Sequence, residues 1–350
     1  MNLPGRHLLL LTLGLLLLTG CGAARQTRIH HSQLLSFGTL VDISLWDASP
    51  EQIENAERII HDELHAMHHD WHAWQPGPLT ETNQQLRGGE WFVCPPAILP
   101  LIVQAKQLYQ RSGGLFNPAI GQLVALWGFH SDTLPKGPPP PKEAIASLVA
   151  RKPGMDAIVI DGQRIRSTNP AVQLDFGAFA KGYAVDRIIE KLIANGIGNA
   201  IINAGGDLRA IGRHGDRPWR IGIRNPRGPG VLAGIELSGD ESVFTSGDYE
   251  RFFRYRGKRY HHIIDPRTGY PARGVTSVTV IHDNAATADA AATALFVAGP
   301  EEWHPIARRM GIKYVMVVDD KGRIHMNPAM ARRIQFESEQ KPEVVLSKPL

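Results

Sequence analysis

Cysteine is nearly absent: Cys21 and Cys94 are the only two in 350 residues. If processing consumes Cys21, Cys94 stands alone, and neither an intrachain disulfide nor a cysteine-ligated zinc or iron–sulfur centre can form. Cys94 lies in a Trp-Phe-Val-Cys-Pro-Pro stretch and reads as a buried small apolar residue, not a nucleophile. The N-terminal apolar run, Leu8 to Leu18, has 11 residues broken only by Thr12 and Gly14, too few to span a bilayer. Charge of one sign is also scarce: 38 Lys and Arg face 34 Asp and Glu, a net +4. That excess reads as spread over both signs without a basic patch, which argues against nucleic acid as a partner. No internal repeat is present, so a repeat array is excluded.

What is present begins with a leader. Arg6 and His7 precede the apolar run, which ends in Leu18-Thr19-Gly20-Cys21. Small residues leading into a cysteine look like a bacterial lipobox, with cleavage before Cys21 and lipid on the new N-terminal cysteine; an ordinary secretory signal is the alternative. The expected organisation is a signal peptide over 1–20, a polar tether over 21–36, one domain over 37–335 and a disordered tail over 336–350. About 330 mature residues with 43% apolar content support a large core.

Within the domain, Phe37 to Trp46 alternates like a strand, and Ser49-Pro50-Glu51 opens a helix running to His69. His61, His65, His68 and His72 fall on one face of that helix and its continuation, a spacing suited to a transition metal but more often a plain polar face. Trp71 to Glu81 reads as a loop, Pro95 to Ser112 as a helix, and Asp161-Gly162 as a hairpin turn. A strand over Val172 to Asp175 leads into a helix over Ala178 to Asn195. Later strands are expected at Asn199 to Ala204, Trp219 to Arg224, Gly234 to Leu237, Ser242 to Phe244, Tyr260 to Ile264, Val275 to His282 and Lys313 to Asp319. Ala286 to Val297 is an alanine-rich helix. Strands and helices without regular βαβ alternation indicate an α+β fold.

Three polar, glycine-containing blocks carry the chemistry. Asp289 and Thr293, one helical turn apart, present a carboxylate and a hydroxyl in the same direction. Such a pair suits a hard cation such as Mg2+; it equally suits a carboxylate complementing a helix dipole beside a back-bonded threonine. In Asp175-Phe-Gly-Ala-Phe-Ala-Lys181 a strand end feeds a helix start through Gly177, a plausible anion site with Lys181 one turn in. Asn203-Ala-Gly-Gly-Asp207 reads as a bend at a sheet edge. Thr245-Ser246-Gly247 reads as a capping turn, and Asp265 to Gly269 as a turn in its own right. His262 enters a strand beside these blocks, where it is either a base at neutral pH or a satisfied strand histidine.

Together these blocks resemble the FAD:protein FMN transferases, the ApbE family, across Phe37 to Asp320. The resemblance implies an α+β, ApbE-type (T-fold-like) architecture of mixed sheets packed with helices, with an FAD cleft between two subdomains. It implies Mg-dependent transfer of FMN from FAD to a threonine hydroxyl of a target protein, with release of AMP. Asp289, Thr293 and the carbonyl of Ala178 would ligate Mg2+, and Asp175 and Lys181 would contact FAD. His262, with Ile263 beside it, would approach the pyrophosphate and accept the threonine proton, and Thr245, Ser246 and Gly247 match the flavin-side turn. The implied target is a subunit of a membrane electron-transfer complex, met at the periplasmic face of a bacterial membrane.

The departures from the family pattern fall in the first half. Phe37-Gly38-Thr39 stands where the family reads Met-Gly-Thr. Trp71-His72-Ala73-Trp74 replaces Met-Ser-Thr-Tyr in the flavin-stacking loop, keeping an aromatic ring at Trp74 and losing two hydroxyls. Phe116-Asn117-Pro118-Ala119 replaces Phe-Asp-Pro-Thr, removing a carboxylate and a hydroxyl. Two alternatives therefore stay beside the transferase: an FAD pyrophosphatase giving FMN and AMP, and a non-catalytic FAD-binding lipoprotein.

Overall fold

Alternating apolar residues build one long, twice-covered sheet in the computed structural model, which describes residues 29–131, 133–337 and 342–350. Cys21 and the leader lie outside the described residues. With strands numbered in chain order, the nine-stranded sheet runs β1 (Ile29–Ser36), β2 (Thr39–Trp46), β6 (Ala200–Ala204), β7 (Asp207–Gly212), β10 (Gly239–Gly247), β13 (Val275–His282), β14 (Tyr314–Asp319), β15 (Ile324–Met326) and β17 (Val344–Leu346). Every neighbouring pair is antiparallel except β15–β17. A three-stranded sheet joins β16 (Gln335–Phe336), β9 (Val231–Leu237) and β8 (Trp219–Arg224). Another joins β3 (Phe92–Val93), β5 (Arg164–Ser167) and β4 (Ile158–Asp161), and a lone hairpin pairs β11 (Phe252–Tyr255) with β12 (Lys258–His261).

Helices α1 (Pro50–Asp70), α2 (Pro78–Gly88), α3 (Leu99–Ser112), α4 (Gly121–Leu126), α5 (Lys142–Ala150), α6 (Ala180–Ala194), α7 (Ala285–Met310) and α8 (Pro328–Ala331) complete the α+β arrangement among the described residues. Side chains on the strands alternate between two cores. Phe244, Val278, Val280, Val315 and Val317 point into the main core with α6 and α7. Their neighbours Val243, Ile281, Met316 and Val318 point the other way, onto Trp219, Ile223, Ile235 and Leu237.

Helix α6 lies unusually close to the start of α7. A Cβ on Gly182 would stand 2.3 Å from the Ala285 carbonyl oxygen and 2.9 Å from the Ala286 Cα, so glycine is required there. The small side chains of α7 serve the same approach: Ala285, Ala286, Ala288, Ala290, Ala291, Ala292 and Ala294 are all buried. Asn284 caps α7 by accepting the Thr287 N–H (2.9 Å), and Asp186 of α6 accepts the N–H groups of Ala285 (2.8 Å) and Ala286 (2.9 Å). Arg209 of β7 closes this buried junction by donating to Asp186 (2.6 Å) and Asp240 (2.7 Å).

Several sequence expectations need correction. Residues 29–36 are not tether: β1 pairs with β2 along its whole length, because His30, Ser32 and Leu34 alternate with more exposed neighbours against a ready partner edge. Residues 342–350 are likewise placed, with β17 alongside β15 and Leu350 against the main core; residues 338–341 lie outside the described set. The loop expected up to Glu81 gives way to α2 at Pro78, and Val172 to Asp175 makes only a bridge between Ile120 and Gln173. Thr245 to Gly247 is the end of strand β10 and not a turn, and the bend at Asp207 opens a full strand. Charge is not evenly spread either: Arg251, Arg254, Arg256, Lys258 and Arg259 crowd into the β11–β12 hairpin and its base. Local periodicity misses this last feature because aromatic residues interrupt the cations.

Candidate active site

The α6–α7 junction and the ends of β7 and β10 bring four segments together. Gly182, in the first turn of α6, donates its N–H to Asp289 Oδ2 at 3.0 Å. Lys181, one residue earlier, pairs with Asp207 at the start of β7, and the other Asp207 oxygen accepts the Thr245 N–H at 2.8 Å. Ser246 Oγ lies 3.2 Å from Thr293 Oγ1, and Thr245 Oγ1 lies 2.9 Å from Thr279 Oγ1. Asp289, Thr293, Lys181, Thr245, Ser246 and Gly247 thus share one neighbourhood. Asp207 belongs with them, although the sequence alone reads it as a bend; a buried carboxylate following two positive-φ glycines, Gly205 and Gly206, is the signal it offers.

The electrostatics are those of a site short of positive charge. Burial pushes the Asp289 carboxyl up to about 8, and Asp207 adds to this while Lys181 and the Gly182 N–H oppose it. Burial also works against the Lys181 ammonium, but Asp207 and Asp289 outweigh it and hold the group charged. Asp289, the Thr293 hydroxyl and backbone carbonyls are hard oxygen donors, the set Mg2+ takes with water and phosphate. Among the described residues no group of three or more His, Cys, Asp and Glu could hold a metal, so the histidine face of α1 forms no such group. Any cation here must draw on hydroxyl and carbonyl oxygens. Ala178 is half-buried in the turn two residues before α6.

His262 follows β12 and sits opposite Arg251 at the base of the hairpin. Its N–H donates to the Arg251 carbonyl (3.0 Å), and Nδ1 contacts the same oxygen at 3.2 Å. A carbonyl only accepts, so Nδ1 carries the proton and Nε2 keeps its lone pair. Burial, then His261 and Arg251, push the imidazole down to about 3, leaving it neutral across the physiological range. The Lys181 charge is felt at His262 as well as at Asp289, which ties the histidine to the carboxylate cluster. Burial raises Asp175, against the Gly177 N–H, Arg251, His72 and His130. The Arg251 guanidinium donates to the Phe129 (3.2 Å) and Ser131 (2.8 Å) carbonyls, and its charge acts on both Asp175 and His262. Sequence reading passed over Arg251.

The remaining expected residues lie toward the N-terminal half. Phe37, at φ 50° in the turn between β1 and β2, stacks on Trp71 with ring centroids 6.2 Å apart. His72 Nδ1 accepts the N–H groups of Trp74 (3.4 Å) and Gln75 (3.1 Å), and the Trp74 ring stands edge-on to His72 at 4.7 Å. Ala73 packs against the main core. Phe116 is buried against Phe179 (5.7 Å), while Asn117 donates to the Pro153 carbonyl (2.9 Å) and accepts the Ala119 N–H (3.0 Å). Both thus serve packing and a turn in this structure. Ile263 is buried directly after His262. An open depression of about 520 Å³ lined by Arg87, Gln122, Arg151 and Gln173 contains none of the expected site residues.

With that geometry in place, residues 37–316 match the ApbE family. This chain belongs to the ApbE family. It is 45% identical over 299 residues to an FAD:protein FMN transferase of Rhodobacter capsulatus, covering 85% of this chain and 57% of that protein. A second FAD:protein FMN transferase, from Treponema pallidum (strain Nichols), is 33% identical across 90% of this chain and 91% of its own length. The chain therefore spans little more than half of the first relative and nearly all of the second. The crystal structure of the ApbE protein from Thermotoga maritima superposes with a TM-score of 0.79 at 33% identity, covering 89% of this chain and 100% of that one.

Proposed function

We propose that this ApbE-family protein transfers FMN from FAD to a threonine hydroxyl of an acceptor protein, releasing AMP. The observation that carries the reading is the junction of Asp289, Thr293 and Lys181, a carboxylate and hydroxyl beside a fixed ammonium, whose charge is also felt at a neutral imidazole, His262, with the proton on Nδ1. In the reaction the acceptor oxygen forms a bond to the FMN phosphorus while the bond from that phosphorus to the AMP oxygen breaks. The acceptor proton passes to His262 Nε2, whose basicity the negative diphosphate would raise from its depressed value in the empty site, and on to solvent, and AMP leaves with the electron pair.

Asp289, Thr293 and the Ala178 carbonyl would hold Mg2+, which when bound offsets the charge that builds on the diphosphate. Lys181, kept charged by Asp207, acts on the same oxygens. The Arg251 carbonyl fixes the histidine tautomer. Little else is asked of the protein beyond positioning. We extend the proposal to a lipid on Cys21 and action at the periplasmic face of a bacterial membrane, supported by the Leu18-Thr19-Gly20-Cys21 sequence.

The test is to incubate the protein with FAD, Mg2+ and a co-expressed candidate acceptor. A mass increase equal to FMN on the acceptor, matched mole for mole by AMP, is the expected result. AMP and free FMN without any acceptor would identify a pyrophosphatase instead, and intact FAD would identify a binder.

A further inference from the structure

The β11–β12 hairpin stands apart from the three other sheets and grows directly out of the site: its base is the Arg251–His262 pair, and its tip is Arg256-Gly257. One face is anchored, with Phe253 and Tyr260 packed on Trp127 and Phe129. The other face and the tip carry cations. Arg254 lies directly opposite Arg259 across the strand pair, a like-charge pairing that weakens a sheet. Arg259 is offset by Asp248 (3.0 Å), but among the described residues Arg254, Arg256 and Lys258 have no carboxylate partner. They rest instead on the hairpin's own rings: Arg254 5.9 Å from Phe252, Arg256 5.4 Å from Tyr255 and Lys258 5.4 Å from Tyr260. Such stacking holds the charged groups in place without neutralising them. No acidic residue occurs between Arg251 and Arg259.

A local arrangement that weakens its own strand pairing and leaves Arg254, Arg256 and Lys258 without a carboxylate among the described residues points to an external partner. We propose that the β11–β12 hairpin is a docking element for the protein acceptor, and that it grips an acidic segment next to the hydroxyl to be modified. This rests on the transferase reading. Distance favours it: four strand residues at about 3.3 Å each put the tip roughly 13 Å from His262, within reach of a short acceptor loop. A hairpin laid on an anionic membrane would instead press the mouth of the site against lipid, where a protein substrate must enter.

The test uses two labelled 15-residue peptides, one with a threonine flanked by four aspartates and one with asparagines in their place. Their binding by fluorescence anisotropy is compared for the full protein and for R254Q/R256Q/K258Q, in FAD and Mg2+. The aspartate peptide is expected to bind the parent protein at least tenfold tighter than the asparagine peptide at low salt. The triple variant and 0.5 M salt should each erase that difference, while FAD affinity and melting temperature hold. Equal binding of the aspartate peptide by parent and variant overturns the proposal. So does a variant whose one defect is loss of binding to vesicles with 30% anionic lipid. Peptide binding without flavin transfer by the parent protein removes the transferase reading on which the proposal rests, but leaves an acid-binding hairpin; transfer that ignores peptide charge removes the docking role alone.

Discussion

At the scale of single residues, the Asp289 carboxyl governs the predicted pH behaviour. Its folded pKa is raised to about 8, so in the metal-free protein the folded state holds a proton that the unfolded chain loses near 4. Stability from this group is full below about pH 4 and declines as pH rises toward 8. His262, depressed to about 3, acts with the opposite sign, since its stability contribution is lost as pH falls below about 6.5. Mg2+ requires the ionised carboxylate, so its binding should release one proton, and its affinity should rise about tenfold per pH unit from 6 to 8. Calorimetry in two buffers of different ionisation enthalpy measures that proton. Asp289→Asn should remove the pH dependence and lower transfer by at least about a thousandfold. His262→Gln should lower it by roughly a hundredfold to ten-thousandfold, with Mg2+ binding retained.

At the scale of elements, the contact between α6 and α7 sets the site. Gly182→Ala would drive a methyl into the Ala285 carbonyl and move the N–H that holds Asp289. Overpacking of this kind costs about 1–3 kcal/mol; a thermal melt should show the loss, and Mg2+ affinity should fall with it. The spacing of Asp289 and Thr293 and the helix N-terminus at Ser49-Pro50 were legible because helical period and cap chemistry are local. Asp207 was not. Its role comes from Lys181, 26 residues away, and from Thr245, 38 residues away, and local pattern does not reveal such partners. Edge strands β1 and β17 were missed for a similar reason: the largely polar β1 and the three-residue β17 become strands by pairing with β2 and β15, a tertiary effect that outweighs local pattern.

For the whole molecule, both ends of the described chain supply the outer strands of the nine-stranded sheet. Deleting residues 342–350 removes the pairing of β17, including the Ile324 N–H bond to Glu343 (2.8 Å) and the Ser347 N–H bond to Met326 (3.0 Å). At about 1 kcal/mol for each bond, a loss of roughly 2 kcal/mol is expected by urea titration. The bared edge of β15 should promote self-association, visible by light scattering, while Mg2+ binding persists. The α+β class and most of the main strands were readable from alternation, β7 excepted. The order in which those strands pair was not, because β2 and β6 meet only after six helices and three short strands intervene.

That long excursion has a consequence for biosynthesis. Val41 is paired with Ala204, so about 160 residues must leave the ribosome between the two halves of this ladder. At 5–20 residues per second the delay is roughly ten to thirty seconds. Through that interval β2 lacks its partner on the β6 side, so the nine-stranded sheet cannot close on this strand until the chain's middle third has been made.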